Sequence, residues 1–192
     1  MISTAFRALR AVVVLALLTG LAYPLFMTGI AQLTMSGKAD GSLIQVNGRV
    51  VGSSSIGQVW EGKEWFHGRP SSIDYDASTS SGSNLGPNSQ ELSDLIAERA
   101  DAILSLESPY SPGLTVADIP ADLLTASASG LDPHISVAAA ELQASRIAEV
   151  RGLPLEQVRT LIDQNTEGQT LGFLGEERVN VLELNLALAQ AA

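Results

Sequence analysis

The chain opens on an uninterrupted apolar run. From Ala11 to Gly37 no residue carries a charge, and the stretch Ala11-Val12-Val13-Val14-Leu15-Ala16-Leu17-Leu18 continues through Leu21, Leu25, Phe26, Met27 and Ile30. About 20 apolar residues in a helix cross a bilayer core, so the pattern predicts a spanning helix over 11–35, with 1–10 before it and 36–192 as one body behind it. Pro24 and Gly29 lie in its second half, where a membrane helix tolerates both. A cleaved export signal fits the same residues. Arg7 and Arg10 then form the basic head, Val12–Leu18 the apolar stretch and Gly29-Ile30-Ala31 the small-x-small site. The apolar run continues past that site to Leu33 and Met35, which speaks for the anchor.

Behind the run the period changes. Leu43–Val46, Asn47-Gly48 and Arg49–Gly52 read as strand, tight turn and strand. Ile56–Trp60 reads as a further short strand. Residues 68–87 show no period and are dominated by Ser, Gly, Asp, Asn and Pro. A structureless loop of about 20 residues is unusual in a compact domain and is often functional. Asn88 and Glu91 have capping-box spacing, and Leu92, Leu95, Ile96, Ala100, Ile103 and Leu104 then share a helix face. Pro109–Gly113 breaks that helix. Pro120 begins a short one. Ser136 caps a helix that runs to Arg151, with Gly152 after its end. Pro154 opens another, carrying Val158, Leu161 and Ile162. The tail alternates on Leu182, Leu184 and Leu186, which predicts a last strand returning to the first hairpin. The fold class expected is therefore one N-terminal transmembrane helix plus a single mixed α+β, or α/β, extracytoplasmic domain. No second stretch is long enough to span.

Charge adds an orientation. The 192 residues hold 11 bases and 21 acids, a net charge of −10. The first acid is Asp40, so residues 1–39 carry +3 and the remainder −13. A basic flank stays cytoplasmic, which sends the acidic body outward. So acidic a chain lacks the Lys and Arg that phosphate backbones need, so nucleic acid is excluded as a partner. With no cysteine, there is no disulfide framework, thiolate zinc site or cysteine nucleophile.

Reactive chemistry is sparse. His67 and His134 are the two histidines. Asp132 lies near His134 and serines abound, yet no Gly-x-Ser-x-Gly elbow occurs, and no histidine pair has metal-ligand spacing. Each histidine is expected to pin its proline-containing turn by backbone hydrogen bonds. Gly82-Ser83-Asn84-Leu85-Gly86-Pro87 is glycine-rich, but it lacks the lysine of a phosphate cradle and Pro87 removes an N–H. Arg69, alone among Asp74 and Asp76, is expected to hold the loop by pairing with them.

Several segments, in order, carry a resemblance. They are Gly57-Gln58; Phe66-His67-Gly68-Arg69-Pro70-Ser71 with Tyr75; Gly82–Pro87; Ile119–Leu123; Thr125-Ala126-Ser127; Ser129–Ser136, which includes Asp132-Pro133-His134; Arg151-Gly152; Leu174–Glu176; and Arg178–Asn185, which includes Asn180 and Asn185. Behind a single span, this order resembles the C subunit of Kdp-type potassium-transporting ATPases, the KdpC family. The chain departs from that pattern at Ala128, where Gly is usual, at Glu177, where Pro is usual, and at Asn88-Ser89-Gln90.

The resemblance implies a retained anchor in a bacterial inner membrane. It also implies a non-catalytic accessory subunit that supports assembly and high-affinity uptake. Its partners would be a channel-like potassium-selecting subunit, an ATP-hydrolysing subunit and the lipid bilayer. ATP and potassium then belong to the complex; no cofactor is assigned to this chain. Two roles follow for it: a catalytic chaperone raising the pump's ATP affinity, or an extracytoplasmic cap at the potassium entrance. The matched residues Phe66, His67, Gly68, Arg69, Pro70, Ser83, Asn84, Leu85, Gly86, Pro87, Asp132, Pro133, His134, Asn180 and Asn185 are read as structural or partner-contacting. The alternative is a periplasmic enzyme or binding protein freed by signal cleavage.

Overall fold

In the computed structural model, which describes residues 2–191, the chain forms two units, Met1–Val51 and Gly52–Ala192. The first is dominated by the apolar run. Helix α1 (Ile2–Leu17) passes through a π-helical turn (Leu18–Ala22) into α2 (Tyr23–Ala39). Pro24 has no N–H to give to the preceding turn, and the widened turn absorbs the break. Together they make one helix long and apolar enough to cross a membrane, Ser3–Ala39. Its side chains face outward: Leu25, Phe26 and Leu33 are 64%, 65% and 89% exposed. Strands β1 (Leu43–Val46) and β2 (Arg49–Ser53) follow and pair with each other. The turn between them puts Asn47 at φ 52° and Gly48 at φ 76°, the left-handed pair that Asn-Gly accommodates.

The second unit is mixed. Helix α3 (Gln90–Glu107), a 3₁₀ turn (Val116–Asp118) and α4 (Ala121–Leu124) lead to β3 (His134–Ser136). Then come α5 (Val137–Arg151), α6 (Leu155–Gln164), β4 (Thr166–Glu167), β5 (Arg178–Asn180) and α7 (Val181–Gln190). The three short strands form an antiparallel sheet in the order β3-β5-β4, with Ile135 opposite Val179. The core gathers Ile135, Val179, the alanine face of α5 (Ala139, Ala140, Ala144), Val158 and Ile162 of α6, and Leu184 and Leu188 of α7. The mixed class expected from the pattern is observed.

Four local expectations are corrected. The tail is a strand only as far as Asn180, whose side chain accepts from the Glu183 N–H and starts a helix. Val181, Leu184, Asn185 and Leu188 stand at i, i+3, i+4 and i+7, and all four are buried, so the helical period prevails over the alternation. The strand that precedes it pairs with β3 and β4 rather than with the N-terminal hairpin. The α3 cap is Ser89, extended at ψ 129° and accepting from the Leu92 N–H, not Asn88. Residues 56–60 make one bridge, Ile56 to Ser53, and no strand.

Candidate functional site

The segment Lys63–His67 forms no strand, yet it is among the most firmly held parts of the second unit. Buried backbone groups must find partners, and here side chains supply them. Asn185 of α7 accepts the Phe66 N–H at 2.9 Å and donates to the Phe66 carbonyl at 2.9 Å. Gln143 of α5 does the same for His67, accepting its N–H at 2.8 Å and donating to its carbonyl at 3.2 Å. A carboxamide carries both an acceptor and a donor, so each imitates one rung of a sheet ladder. Arg146 Nη1 donates to the carbonyls of Lys63 and Trp65, and Arg151 Nε to that of Glu64. Arg151 also stacks over Trp65 with its Cζ 4.3 Å from the ring centre. Five consecutive carbonyls are thus held by two helices, and Phe66 is fully buried.

Arg146 is itself anchored. Its Nε meets Glu107 Oε1 at 2.9 Å and its Nη2 meets Gln143 Oε1 at 2.9 Å, and neither Arg146 nor Glu107 is appreciably exposed. Burial raises the Glu107 pKa against the pull of the guanidinium. His67 is turned so that Nε2 meets the Gly62 carbonyl at 2.8 Å, and burial lowers its pKa.

Arg69 does not pair with Asp74 or Asp76. Its Nη1 meets Asp132 Oδ2 at 3.0 Å, 63 positions away, and its Nη2 reaches the Thr125 carbonyl. Asp132 Oδ1 accepts the His134 N–H at 3.0 Å and faces Nδ1 of the same ring at 3.5 Å. Burial opposes the Asp132 charge, but the His134 hydrogen bonds and the Arg69 guanidinium outweigh it and hold its pKa low. Tyr75 donates to the Arg69 carbonyl at 2.6 Å, and burial with the nearby Asp132 charge pushes its pKa up to about 12. Gly57 is required here: a Cβ would run into the Tyr75 ring and the Asp132 carbonyl.

The rest of the long loop lies against residues 125–133. Ser71 donates to the Gly130 carbonyl, Ser72 to that of Ser81 and Ser80 to that of Ser129. The Ser81 N–H and the Ser127 N–H cross-link the two segments at Ser129 and Pro70. These hydroxyls are spent on backbone, and Ser136 is spent as the α5 cap and on Asp122, so none of these serines stands as a nucleophile beside His134. The histidine pins differ from the expectation: the Asp132-Pro133 turn is closed by the Asp132 carboxylate on the His134 main-chain N–H, with the His134 ring facing the same carboxylate, and the His67 ring meets Gly62 rather than its own proline-containing turn. Among the described residues no group of three or more His, Asp or Glu could hold a metal ion.

The structure brings Phe66 and His67 to Asn185 and Gln143, Arg69 to the Asp132-Pro133-His134 turn, Gly68 against the Tyr75 hydroxyl and the Pro70 carbonyl to the Ser127 N–H. Pro133 passes its carbonyl to the Val181 N–H, and Asn180 donates to the Ser54 carbonyl at 2.8 Å. The segment Ser83-Asn84-Leu85-Gly86-Pro87 stands apart. Ser83, Asn84, Gly86 and Pro87 are exposed and Leu85 half-buried, and Asn84 sits at φ 55° with its amide on the Gly82 carbonyl. As a phosphate cradle it does not fit. The helix behind it is closed by the Ser89 hydroxyl and bears Glu91 in its first turn.

The sequence reading does not single out Gln143, Arg146 or Glu107, and it names Arg151 only as a helix end and as part of the matched Arg151-Gly152 pair. A signal existed for two of them, since Gln143 and Arg146 interrupt the buried face Ala139, Ala140, Ala144 and Ile147. Polar groups on such a face need partners on a segment without its own ladder.

Comparison with known proteins covers nearly the whole chain. The family profile described as "KdpC: K+-transporting ATPase, c chain" matches residues 5–190. A relative from Polaromonas naphthalenivorans (strain CJ2), named potassium-transporting ATPase KdpC subunit, is 56% identical over 178 residues, 91% of this chain and 88% of that one. Relatives of the same name from Caldanaerobacter subterraneus subsp. tengcongensis and Herpetosiphon aurantiacus are 46% and 50% identical, covering 96% and 97% of this chain and 93% and 96% of their own. An apolar N-terminal helix, a mixed second unit and a profile match from end to end agree, and the chain belongs to the KdpC family of potassium-transporting ATPase subunits.

Proposed function

We propose that this chain is the accessory, non-catalytic subunit of an ATP-driven potassium pump, anchored by its N-terminal helix with residues 36–192 on the extracytoplasmic face. The observation that carries this orientation is the charge around the apolar run. Arg7 and Arg10, with no acid among them, precede it, while all 21 acids follow it. Cytoplasmic flanks collect Lys and Arg. The body then docks on the channel-like potassium-selecting subunit through residues 66–87 and acts as a cap near the potassium entrance, in support of assembly and high-affinity uptake. A body of that charge concentrates cations within about a Debye length, about 8 Å at physiological salt.

The second role, a chaperone of ATP binding for the ATP-hydrolysing subunit, requires the body to meet a nucleotide that is cytoplasmic. The Gly82–Pro87 loop offers no lysine and no open helix N-terminus for one. Topology separates the two roles. Because the chain has no cysteine, Ala77→Cys and Ser3→Cys each introduce a single label site. A membrane-impermeant maleimide on intact cells is expected to label Ala77→Cys and to reach Ser3→Cys only after permeabilisation. The reverse pattern refutes the cap. Deleting residues 52–192 while keeping the helix tests docking: survival of potassium-limited growth and of co-purification would overturn it.

A further inference from the structure

Between α3 and α5 the surface opens into a cavity of about 200 Å³. Its walls are apolar: Ile103 and Leu106 on one side, Leu123 and Leu142 on the other, with Pro70 from the docking loop. Glu107 lines it too. The Glu107 side chain is 2% exposed, and while Oε1 takes the Arg146 guanidinium, the buried Oε2 has no partner among the described residues. Each of the other polar side chains lining the cavity has at least one partner. Gln143 uses both ends of its amide on His67, Ala139 and Arg146; Arg99 Nη1 is on the Leu124 carbonyl; the His67 ring is on Gly62. An unpaired buried acceptor is costly, and a donor entering beside Glu107 would relieve that cost.

Charge and size define that donor. Arg146 already neutralises Glu107, His67 is kept neutral by burial, and Arg99 leaves the cavity net positive, which disfavours an ammonium head. An anion would face the unpaired carboxylate oxygen. A neutral donor suits both. A cavity of about 150 Å³ takes a benzene ring, and this one is larger. His67, Gly68 and Pro70 line it and belong to the loop assigned above to docking. We propose that the cavity receives a tyrosine ring of the potassium-selecting subunit, its phenol hydroxyl donating to Glu107 Oε2. Only the source of the ring rests on the docking reading; the chemistry of the cavity does not.

The test uses the full-length ¹⁵N-labelled chain in detergent micelles, titrated with p-cresol and with toluene. Saturable amide shifts at Gly68, Ile103 and Leu142 are expected with p-cresol, and binding about ten-fold weaker with toluene, the effect of one hydrogen bond. Glu107→Gln keeps its oxygen on Arg146 and turns an N–H toward the cavity, so p-cresol weakens and acetophenone, an acceptor, gains. Ala102 lies on the exposed rim, and Ala102→Trp fills the cavity without touching the Glu107–Arg146 pair and abolishes both. Should Glu107→Gln fail to fold, Ala102→Trp and the toluene comparison decide. No saturation with p-cresol, or equal binding of toluene, overturns the site. In the assembled pump, Ala102→Trp is expected to reduce co-purification with the potassium-selecting subunit. If p-cresol binds the isolated chain while that variant assembles normally, the partner source falls and the cavity chemistry stands.

Discussion

Replacing Asn185 by alanine removes both bonds that hold Phe66, and the structure sets the size of the effect. Phe66 and Asn185 are 0% exposed, so water cannot take over the orphaned N–H and carbonyl. Each buried polar group left unpaired costs about 1–3 kcal/mol, which gives about 2–6 kcal/mol for the pair. Against a typical total of about 5–15 kcal/mol, that is a large fraction. For a chain of this size about 2–4 °C is lost per kcal/mol, so the second unit is expected to melt about 10 °C lower. Urea unfolding of the full-length chain in micelles, followed by tryptophan fluorescence, reads this directly. Trp60 and Trp65 are the two tryptophans, 5.1 Å apart, and Trp65 lies within the clasped segment. Gln90→Ala is the control: it deletes an exposed amide bonded to Asp94 and is expected to stay within about 0.5 kcal/mol. If Asn185→Ala unfolds within about 1 kcal/mol of the parent, the clasp does not hold the segment and the account given for it is wrong.

Three further outcomes follow from the same contacts. Arg146→Met strands the Glu107 carboxylate in the interior and is expected to cost about 3–5 kcal/mol in urea unfolding. The Asp132 pKa is depressed in the folded state, so its contribution is complete above the unfolded value, near 3.8, and fades as pH falls through the folded value; Asp132→Asn should flatten that acid limb of a thermal-melt pH series. Gly57→Ala forces a methyl against Tyr75 and Asp132 and should lose about 1–3 kcal/mol, whereas Gly86→Ala meets nothing within 4 Å and should be near neutral by calorimetry.

Local rules carried much of the fold. The Asn47-Gly48 turn, the Ser136 cap and Gly152, which ends α5 in the left-handed region at φ 66°, all lie where side-chain chemistry puts them. The tail failed because the apolar positions of Val181–Leu188 satisfy two periods over a short stretch; the cap at Asn180 and burial on the helical face chose between them. Strands β3 and β4, three and two residues long, carry no period to read. In the candidate site, the sequence points to Phe66, Asn185, Arg69 and Asp132 but not to their pairings. The carboxylates in the loop that Arg69 belongs to are Asp74 and Asp76, whereas packing brings it Asp132.

The sequence by itself determined the apolar helix, the asymmetry of charge about it, the mixed class and the family. The first three depend on neighbours along the chain, where spacing and composition act directly; the family rests on the resemblance of its ordered motifs. The tertiary structure alone decided that a strandless segment is clasped by two carboxamides and two arginines, and that Glu107 keeps one buried oxygen unpaired among the described residues, beside a cavity. Those facts depend on residues up to 119 positions apart, brought together by burial, and a buried polar group accepts whichever partner the packing places within about 3 Å.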